Sequence, residues 1–320
     1  MVFSHPTTAR YLCTLGEPIY YEGSGVYSGN PVSLTLMPAQ PDTGTWFLRT
    51  DIETEHASIK ASWRNLAANT PITTIGNQRG VTVSGVDLVL AALRACGIDN
   101  VIIEISGPET PLFDGSSAPL IALINRAGLV PQRLSRFGYW IERPLQVRLG
   151  ESYAILSPAG VPRMTVNVEF RHAAINPQCI SLEMVDHVIA REFAPARSLG
   201  FDPATTMPET NDSRFHKRFQ SMVMMHNLID PGCSHLRYQD EFARHAMLEC
   251  FGDLALAGGP LFGHLYVHQP NHRLNHALLR ELFANRQSWS RHSYDEILHR
   301  AERMQDEMAI QAKLSSMRLH

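Results

Sequence analysis

Residues Asp240–Gly259, DEFARHAMLECFGDLALAGG, form the stretch around which the rest of the chain is organised. Its apolar residues recur at steps of three and four, which is the period of an amphipathic helix with one buried side. The stretch therefore predicts a helix. Its expected buried face consists of Phe242, Ala246, Met247, Cys250, Phe251 and Leu254.

A row of titratable residues runs along the same predicted helix. Glu241, His245, Glu249 and Asp253 are spaced four apart, so they share one slowly drifting face about three turns long. A histidine and a carboxylate at i and i+4 can bind one metal ion together. The row is equally typical of the wet side of a surface helix, and periodicity alone favours that second interpretation.

The stretch and its continuation resemble a known enzyme family. DEFARHAMLECFGDLALAGGPLFG, followed by HRLNHALLRELF, is similar to the C-terminal signature of the UDP-3-O-acyl-N-acetylglucosamine deacetylases, the zinc hydrolases of lipid A biosynthesis. The same resemblance extends over residues 10–288, with gaps at 52–68 and 202–236. Other segments that carry it are NTPITTIGNQRGVTVSGVDLVLAALRACGIDN, GPETPLFDGSSAPLIALINRAGL and ARSLGF.

The resemblance implies an α+β fold of two domains, each a sheet layered with helices, packed helix layer to helix layer. We expect domain I at residues 1–130 and domain II at 131–288, with a small insert at about 202–227. Residues 289–320 are polar and helical in composition, which predicts a helical tail. Such a tail offers a surface for a protein partner.

Local patterns add several expectations. Val32–Leu36 alternates as a strand, Val101–Ile105 is rich in β-branched residues, and Asn77–Gly80 is a hairpin-type turn. A helix from Val86 to Ala95 is expected to be capped by Ser84 and to end before Gly97. A second helix, Ala118–Ala127, is expected to be capped by Asp114–Ser117.

The resemblance also implies roles for individual residues. His245 matches a zinc-binding histidine of the family, and Glu249 stands where the family has an aspartate ligand. His272 matches the general acid that stabilises the oxyanion, and Asp253 matches the aspartate that orients it. Ser198 keeps the hydroxyl of a threonine that helps hold the tetrahedral intermediate, although a turn serine bonded to backbone is at least as common.

Four further positions depart from the family pattern. Leu88 stands in place of the first zinc histidine, and leucine has no lone pair to give a metal. Asp87 stands in place of the glutamate base and is one methylene shorter, which misplaces an attacking water. Tyr27 replaces an active-site histidine and is a poor zinc ligand. Ala246 replaces a lysine that contacts substrate.

Three hypotheses follow. The sequence favours a divergent paralogue whose hydrolase activity is changed or lost, because two ligands bind zinc poorly. The alternative is an active metal-dependent deacetylase of UDP-3-O-acyl-N-acetylglucosamine or a related acylated amino sugar, in which Asp87, His226 or a water joins His245 and Glu249. The third is an interaction protein that works through the C-terminal helix.

Composition limits the remaining classes. The chain has 320 residues, 44% of them apolar and only 18% charged, with a net charge of -3, so a nucleic-acid or anionic-membrane surface is not indicated. The N-terminus does not resemble a signal peptide, and no stretch approaches the roughly 20 apolar residues of a membrane span. A cytoplasmic protein with a sugar-nucleotide or acylated small-molecule ligand is expected. Five scattered cysteines are read as reduced thiols: Cys13, Cys96, Cys179, Cys233 and Cys250.

Overall fold

Two five-stranded sheets form the framework of the protein. The computed structural model describes residues 10–68, 70–169, 176–185, 188–200, 223–224 and 236–317. The first sheet consists of β2 (Ile19–Ser24), β3 (Pro31–Pro38), β4 (Thr45–Arg49), β5 (Ser58–Lys60) and β8 (Val101–Ile105). The second consists of β11 (Leu145–Leu149), β12 (Ser152–Ser157), β13 (Arg163–Val168), β14 (Gln178–Glu183) and β18 (His264–His268).

The two sheets have the same topology. Their strand orders are β2-β3-β8-β4-β5 and β11-β12-β18-β13-β14. In each sheet the last strand in sequence inserts between the second and the third, antiparallel to the second and parallel to the third. The predicted strands at Val32–Leu36 and Val101–Ile105 lie side by side at the centre of the first sheet. The repeated plan agrees with the expected pair of α+β domains.

Short pairings surround the main sheets. β6 (Thr74–Gly76) and β7 (Thr82–Ser84) form the expected hairpin, whose turn is closed by the Gly80 amide donating to the Asn77 carbonyl at 3.1 Å. The remaining pairs are β1 (Tyr11–Leu15) with β9 (Leu129–Ser135), β10 (Phe137–Ile141) with β17 (Leu261–Phe262) and β19 (Trp289–Ser293), and β15 (Leu199–Gly200) with β16 (Val223–Met224).

Four α-helices of the described residues form two layers that face one another: α1 (Asp87–Ala95), α2 (Ala118–Ala127), α3 (Glu241–Ala255) and α4 (His272–Ala284). A further helix, α5 (Tyr294–Met317), packs on β10 and β19. Helices α3 and α4 pack on the second sheet, whereas α1 and α2 belong to the first half of the chain. Helix α1 packs along α3, so these two helices join the halves.

Helix α3 is buried on almost every side, which overturns the wet-side interpretation. Its expected apolar face is inside, with Met247 and Cys250 fully buried. Three of the four titratable residues are inside as well, because Glu241 and Asp253 are 0% exposed and His245 is 6% exposed, whereas the Glu249 side chain is 31% exposed. A polar row enclosed between two layers needs partners for its charges, and the site described below supplies them.

The expected helix caps are only partly correct. Helix α1 begins at Asp87 without a side-chain cap, and Ser84 instead lies in β7, where its hydroxyl accepts from Thr74 at 3.0 Å. Gly97 follows the end of α1 with φ 70°, as expected for a helix-terminating glycine. Before α2 the Asp114 carboxylate accepts from the amide and hydroxyl of Ser116, so it organises the preceding turn.

Within the tail expected at residues 289–320, helix α5 spans Tyr294–Met317, whereas the first five residues form strand β19. The first turn of α5 is anchored to the second half, because Ile297 is fully buried against Trp140 and Phe262. Strand β19, which precedes it, pairs with β10. Within the described ranges, no helix has the length and apolar character needed to cross a bilayer.

Some expectations fall outside the described residues. Among them are His226 and, apart from 223–224, the insert at 202–227. Of the five cysteines, four lie in described segments and are in the reduced form, whereas Cys233 lies outside these segments.

Gly252 permits the closest approach between the two helix layers. A Cβ atom added at this position would overlap the carbonyl oxygen of Asp87 and lie only 2.7 Å from its carbonyl carbon. The first turn of α1 therefore rests directly on the backbone of α3. Because both obstructing atoms belong to the backbone, no side-chain rotation can make room for a larger residue.

We expect Gly252→Ala to lower the free energy of unfolding by roughly 1–3 kcal/mol, the usual cost of overpacking. Urea titration followed by circular dichroism measures it. Gly107→Ala is the matched control, since its added Cβ would meet Val32 at an ordinary 3.6 Å. Equal stability of the two variants would show that the helix layers can move apart freely.

Candidate active site

Three helices bring their polar residues to one point between the layers. Asp87 and His272 are the first residues of α1 and α4, and Glu249 lies in the middle of α3. One donor atom from each of these three side chains lies within 4.8 Å of the other two. A group of this kind is close enough to share one metal ion or one water molecule. The structure thus brings together three of the residues expected at the site, and their roles stay predictions.

His245 adjoins this group one helical turn before Glu249. Its Nδ1 lies 3.0 Å from the carbonyl oxygen of Ala196, which can only accept, so Nδ1 carries a proton. Its Nε2 lies 3.2 Å from Oε1 of Glu249. The backbone carbonyl thus fixes the ring with Nε2 directed at the carboxylate, the orientation that a metal-binding histidine requires.

His272 is held in the same way by a carboxylate. Its Nδ1 lies 2.8 Å from Oδ2 of Asp253, and its Nε2 lies 3.8 Å from Oε1 of Glu249. Asp253 is itself fixed, because Oδ2 also accepts from the Asn275 amide at 2.8 Å. The expected orienting contact between Asp253 and His272 is therefore present.

Thr73 and His276 belong to the site but were missed in the sequence. The Thr73 hydroxyl donates to Oδ1 of Asp253 and lies 3.0 Å from Nδ1 of His272. It also lies 2.9 Å from Nε2 of His276. Thr73 comes from the segment before β6, far from α3 in sequence, so only the fold reveals the contact. The available signal in the sequence was that Thr73 lies in the segment NTPITTIG, which is part of the resemblance to the family.

Charges within the cluster shift the pKa values of its acids in opposite directions. Burial and the carboxylates of Asp253 and Glu249 raise the pKa of Asp87 to about 6, against the lowering effect of His272. Burial also opposes ionisation of Glu249, but the charges of His245 and His272 prevail and lower its pKa to about 2. Asp87 is thus the acid of the pair that can exchange a proton near neutrality.

The pKa values of His245 and His272 are shifted by the same carboxylates. Burial alone would lower the pKa of His272, yet Asp253 and Glu249 raise it well above its usual range. For His245, burial is again outweighed, chiefly by the charge of Glu249, and its pKa is raised. Buried negative charges of the cluster are therefore balanced by imidazolium groups.

Two positions that depart from the family pattern, Leu88 and Tyr27, offer no metal ligand. The Leu88 side chain is 7% exposed and belongs to the hydrophobic core. Tyr27 is 39% exposed, and its amide donates to Oε2 of Glu109 at 2.6 Å. The Ser198 amide donates to the Gly115 carbonyl at 2.9 Å, a backbone contact that leaves the role of its hydroxyl a prediction.

Glu241 secures the segment that orients His245. Its fully buried carboxylate accepts from the amide and the Nε of Arg197, each at 2.9 Å, and from the amide of Arg237 at 2.7 Å. Arg197 follows Ala196, whose carbonyl fixes the His245 ring. The first member of the titratable row is therefore a structural anchor.

With this geometry established, the fold and the site define a class of α+β proteins whose facing helix layers enclose a cluster of carboxylates and imidazoles. The family described as LpxC, UDP-3-O-acyl N-acetylglycosamine deacetylase, matches residues 13–284. This match covers most of the sequence. The chain belongs to the UDP-3-O-acyl-N-acetylglucosamine deacetylase family.

Relatives from several bacteria support this assignment. A UDP-3-O-acyl-N-acetylglucosamine deacetylase of Geobacter sp. (strain M21) is 36% identical over 272 residues, which is 84% of this chain and 88% of the relative. The proteins of the same name from Idiomarina loihiensis and Shewanella sp. (strain W3-18-1) are 34% and 31% identical, over 88% of this chain and 93% and 92% of their own lengths.

The Glu241 contacts generate a prediction for acid stability. Burial opposes ionisation of Glu241, but hydrogen bonds from Arg197 and Arg237 lower its pKa below the ordinary 4.5. The stabilisation is therefore complete above the unfolded-state pKa and is lost as the pH falls through the lower folded-state value. We expect Glu241→Gln to be less stable than the parent by roughly 3–5 kcal/mol near neutrality, because buried arginine contacts lose their charge partner.

Urea titrations between pH 7 and pH 3 check this. The loss of stability on acidification should be smaller in Glu241→Gln than in the parent. Glu302→Gln, at an exposed position of α5, should follow the parent curve. Identical pH slopes for the parent and Glu241→Gln would contradict the assignment.

Proposed function

We propose that this chain is a metal-dependent amide hydrolase that removes the acetyl group from an acylated amino sugar, using a rebuilt ion site. His245, Glu249 and Asp87 would hold the ion, and His272 would transfer the proton. The observation that carries this proposal is the position of Glu249, whose Oε1 lies 3.2 Å from Nε2 of His245 and whose carboxylate converges with Asp87 and His272 within 4.8 Å. The family membership of the chain supports the substrate class.

The donor set fits a divalent cation. Catalytic zinc sites present three protein ligands and an open position. One imidazole and two carboxylates supply three donors, and the two negative charges match a doubly charged ion. The fixed Nδ1–H of His245 supports the same role for its Nε2. Asp87 thereby replaces the donor that Leu88 cannot provide.

A divalent ion in this position would acidify a bound water and polarise the amide carbonyl. The residues of the chain do the rest. Its raised pKa makes His272 an imidazolium, and with Nδ1–H held by Asp253 its Nε2–H can donate a proton to the leaving nitrogen, while the acidified water releases its own proton to solvent. Asp253 stabilises the imidazolium before this transfer, and Thr73 and Asn275 keep Asp253 in place.

Substrate recognition is expected to differ from that of the family. Ala246 cannot make the contact of the family's lysine, and Tyr27 offers a hydroxyl where an imidazole is usual. We infer an acylated UDP-amino sugar or a close relative as substrate, with Ser198 as a candidate hydroxyl donor to the intermediate. Changes at positions 27 and 246 act on substrate affinity in this scheme, while Leu88 acts on the ion.

Metal analysis of protein purified without chelator tests the proposal. We expect about one zinc, iron or manganese per chain in the parent and in His272→Ala, and loss of the ion in His245→Ala and Asp87→Asn. Turnover of UDP-3-O-acyl-N-acetylglucosamine should fall at least about a hundredfold in His272→Ala, the usual effect of removing an acid–base group. His299→Ala, an exposed histidine of α5, is the control for both measurements.

A second candidate function is binding without standard hydrolysis, by a divergent paralogue. The observation that favours it is Leu88, whose buried side chain occupies the position of a family ligand. In this case the parent carries no stoichiometric ion and shows no turnover. Leu88→His should then raise zinc occupancy, because it restores the missing imidazole. A parent that already holds a full equivalent of metal would exclude this candidate.

A further inference from the structure

A cavity lies at the end of the helix layers opposite the active site. It has a volume of about 1080 Å³ and is bordered by the C-terminal ends of α1 and α3, by residues 60–64 and by strand β10. His272 begins α4, whereas Arg286 follows its end, so about 18 Å of helix separates the site from the cavity. We call it the arginine–aromatic cleft, after Trp63, Arg64, Tyr139, Arg286, Trp289 and Arg291.

Aromatic rings form the floor of the arginine–aromatic cleft. Trp63 stacks on Phe283 with centroids 4.9 Å apart and planes inclined by 4°. Tyr139 meets Phe283 and Trp289 edge-on at 5.2 and 5.0 Å. The cluster holds its rings in fixed orientations, and Trp63, Tyr139 and Phe283 remain partly accessible. Such a floor suits a flat, apolar ligand group.

Exposed guanidinium groups lie over these rings. Arg64 lies 4.9 Å from the centre of Trp63, Arg286 lies 4.1 Å from Trp289, and Arg291 lies 4.4 Å from Phe137. In the part of the chain that the structure describes, none of these three arginines forms an ion pair with a carboxylate.

Positive charge predominates in the cleft. Lys60 also lines it, and of the two acids there, Asp99 is already paired with Arg136 at 2.7 Å. Burial raises the pKa of Tyr139, and the charges of Arg291, Arg64 and Arg286 all oppose this, so the three arginines surround one phenol. The positive charges of the three arginines therefore border the same cavity, which is large enough for a small-molecule ligand.

We propose that the arginine–aromatic cleft binds a nucleoside diphosphate or triphosphate. The planar base would lie against the ring cluster, and the guanidinium groups would turn from the rings to the phosphates, which they match in bidentate geometry. A purely apolar ligand leaves the arginines unused, and a simple anion leaves the aromatic floor unused. The helix C-termini at the cleft carry partial negative charge, which disfavours a phosphate ligand by only about 0.3–1 kcal/mol each and is screened by salt. This effect does not outweigh the attraction of several guanidinium groups.

Calorimetric titration of the full chain with ADP, adenosine and inorganic pyrophosphate tests this proposal. ADP is expected to bind at least about tenfold more tightly than either fragment, because adenosine lacks the phosphates and pyrophosphate lacks the planar base. Pyrophosphate binding as tight as ADP, or no ADP binding at millimolar concentration, would overturn the nucleotide assignment. If ADP does not bind, the arginines only compensate the partial negative charge of the helix C-termini.

Variants locate the binding. The double variant Arg286→Ala, Arg291→Ala should weaken ADP binding at least about tenfold. Arg148→Ala, which removes a similar arginine–tyrosine pair on β11, should not change it. His245→Ala should also bind ADP normally, which separates this proposal from the fate of the deacetylase proposal. Loss of binding in His245→Ala with full binding in the double variant would place ADP in the active site and reject the cleft.

Discussion

The direct backbone contact between α1 and α3 is the constraint on which the site depends. Gly252 lets the carbonyl of Asp87 rest on α3, and Glu249 lies only one turn before that glycine on the same helix. Asp87 is therefore positioned by main chain against main chain, with no flexible side chain between the layers. A short carboxylate can work at this position only because the helices approach so closely.

The buried charges follow from that enclosure. Once the layers exclude water, each acid must find a proton, a cation or hydrogen-bond donors. Glu241 finds Arg197 and the Arg237 amide, and Asp253 finds Thr73, Asn275 and His272. Asp87 has the least compensation, and burial raises its pKa to about 6. The least compensated carboxylate is thus the one left to react or to bind an ion.

Much of the framework could be predicted from local patterns. The period of α3, the alternation of β3 and the β-branched run of β8 all reflect nearest-neighbour preferences that act along the chain. Burial of the titratable row could not be predicted, because the same period describes a helix between two layers and a helix at the surface. Thr73 illustrates the second limit, since its contact with Asp253 joins residues 180 positions apart. Ser84 failed as a cap because a strand pairing claimed its hydroxyl. The resemblance supplied the placement of the site residues that periodicity could not.

The two halves of the chain each contribute residues to the cluster. The first half contributes Asp87 and Thr73, while His245, Glu249, Asp253 and His272 come from the second. A small sliding movement between the halves would leave the second-half residues unchanged and alter only their separation from Asp87 and Thr73. The cluster is therefore complete in only one relative position of the two halves.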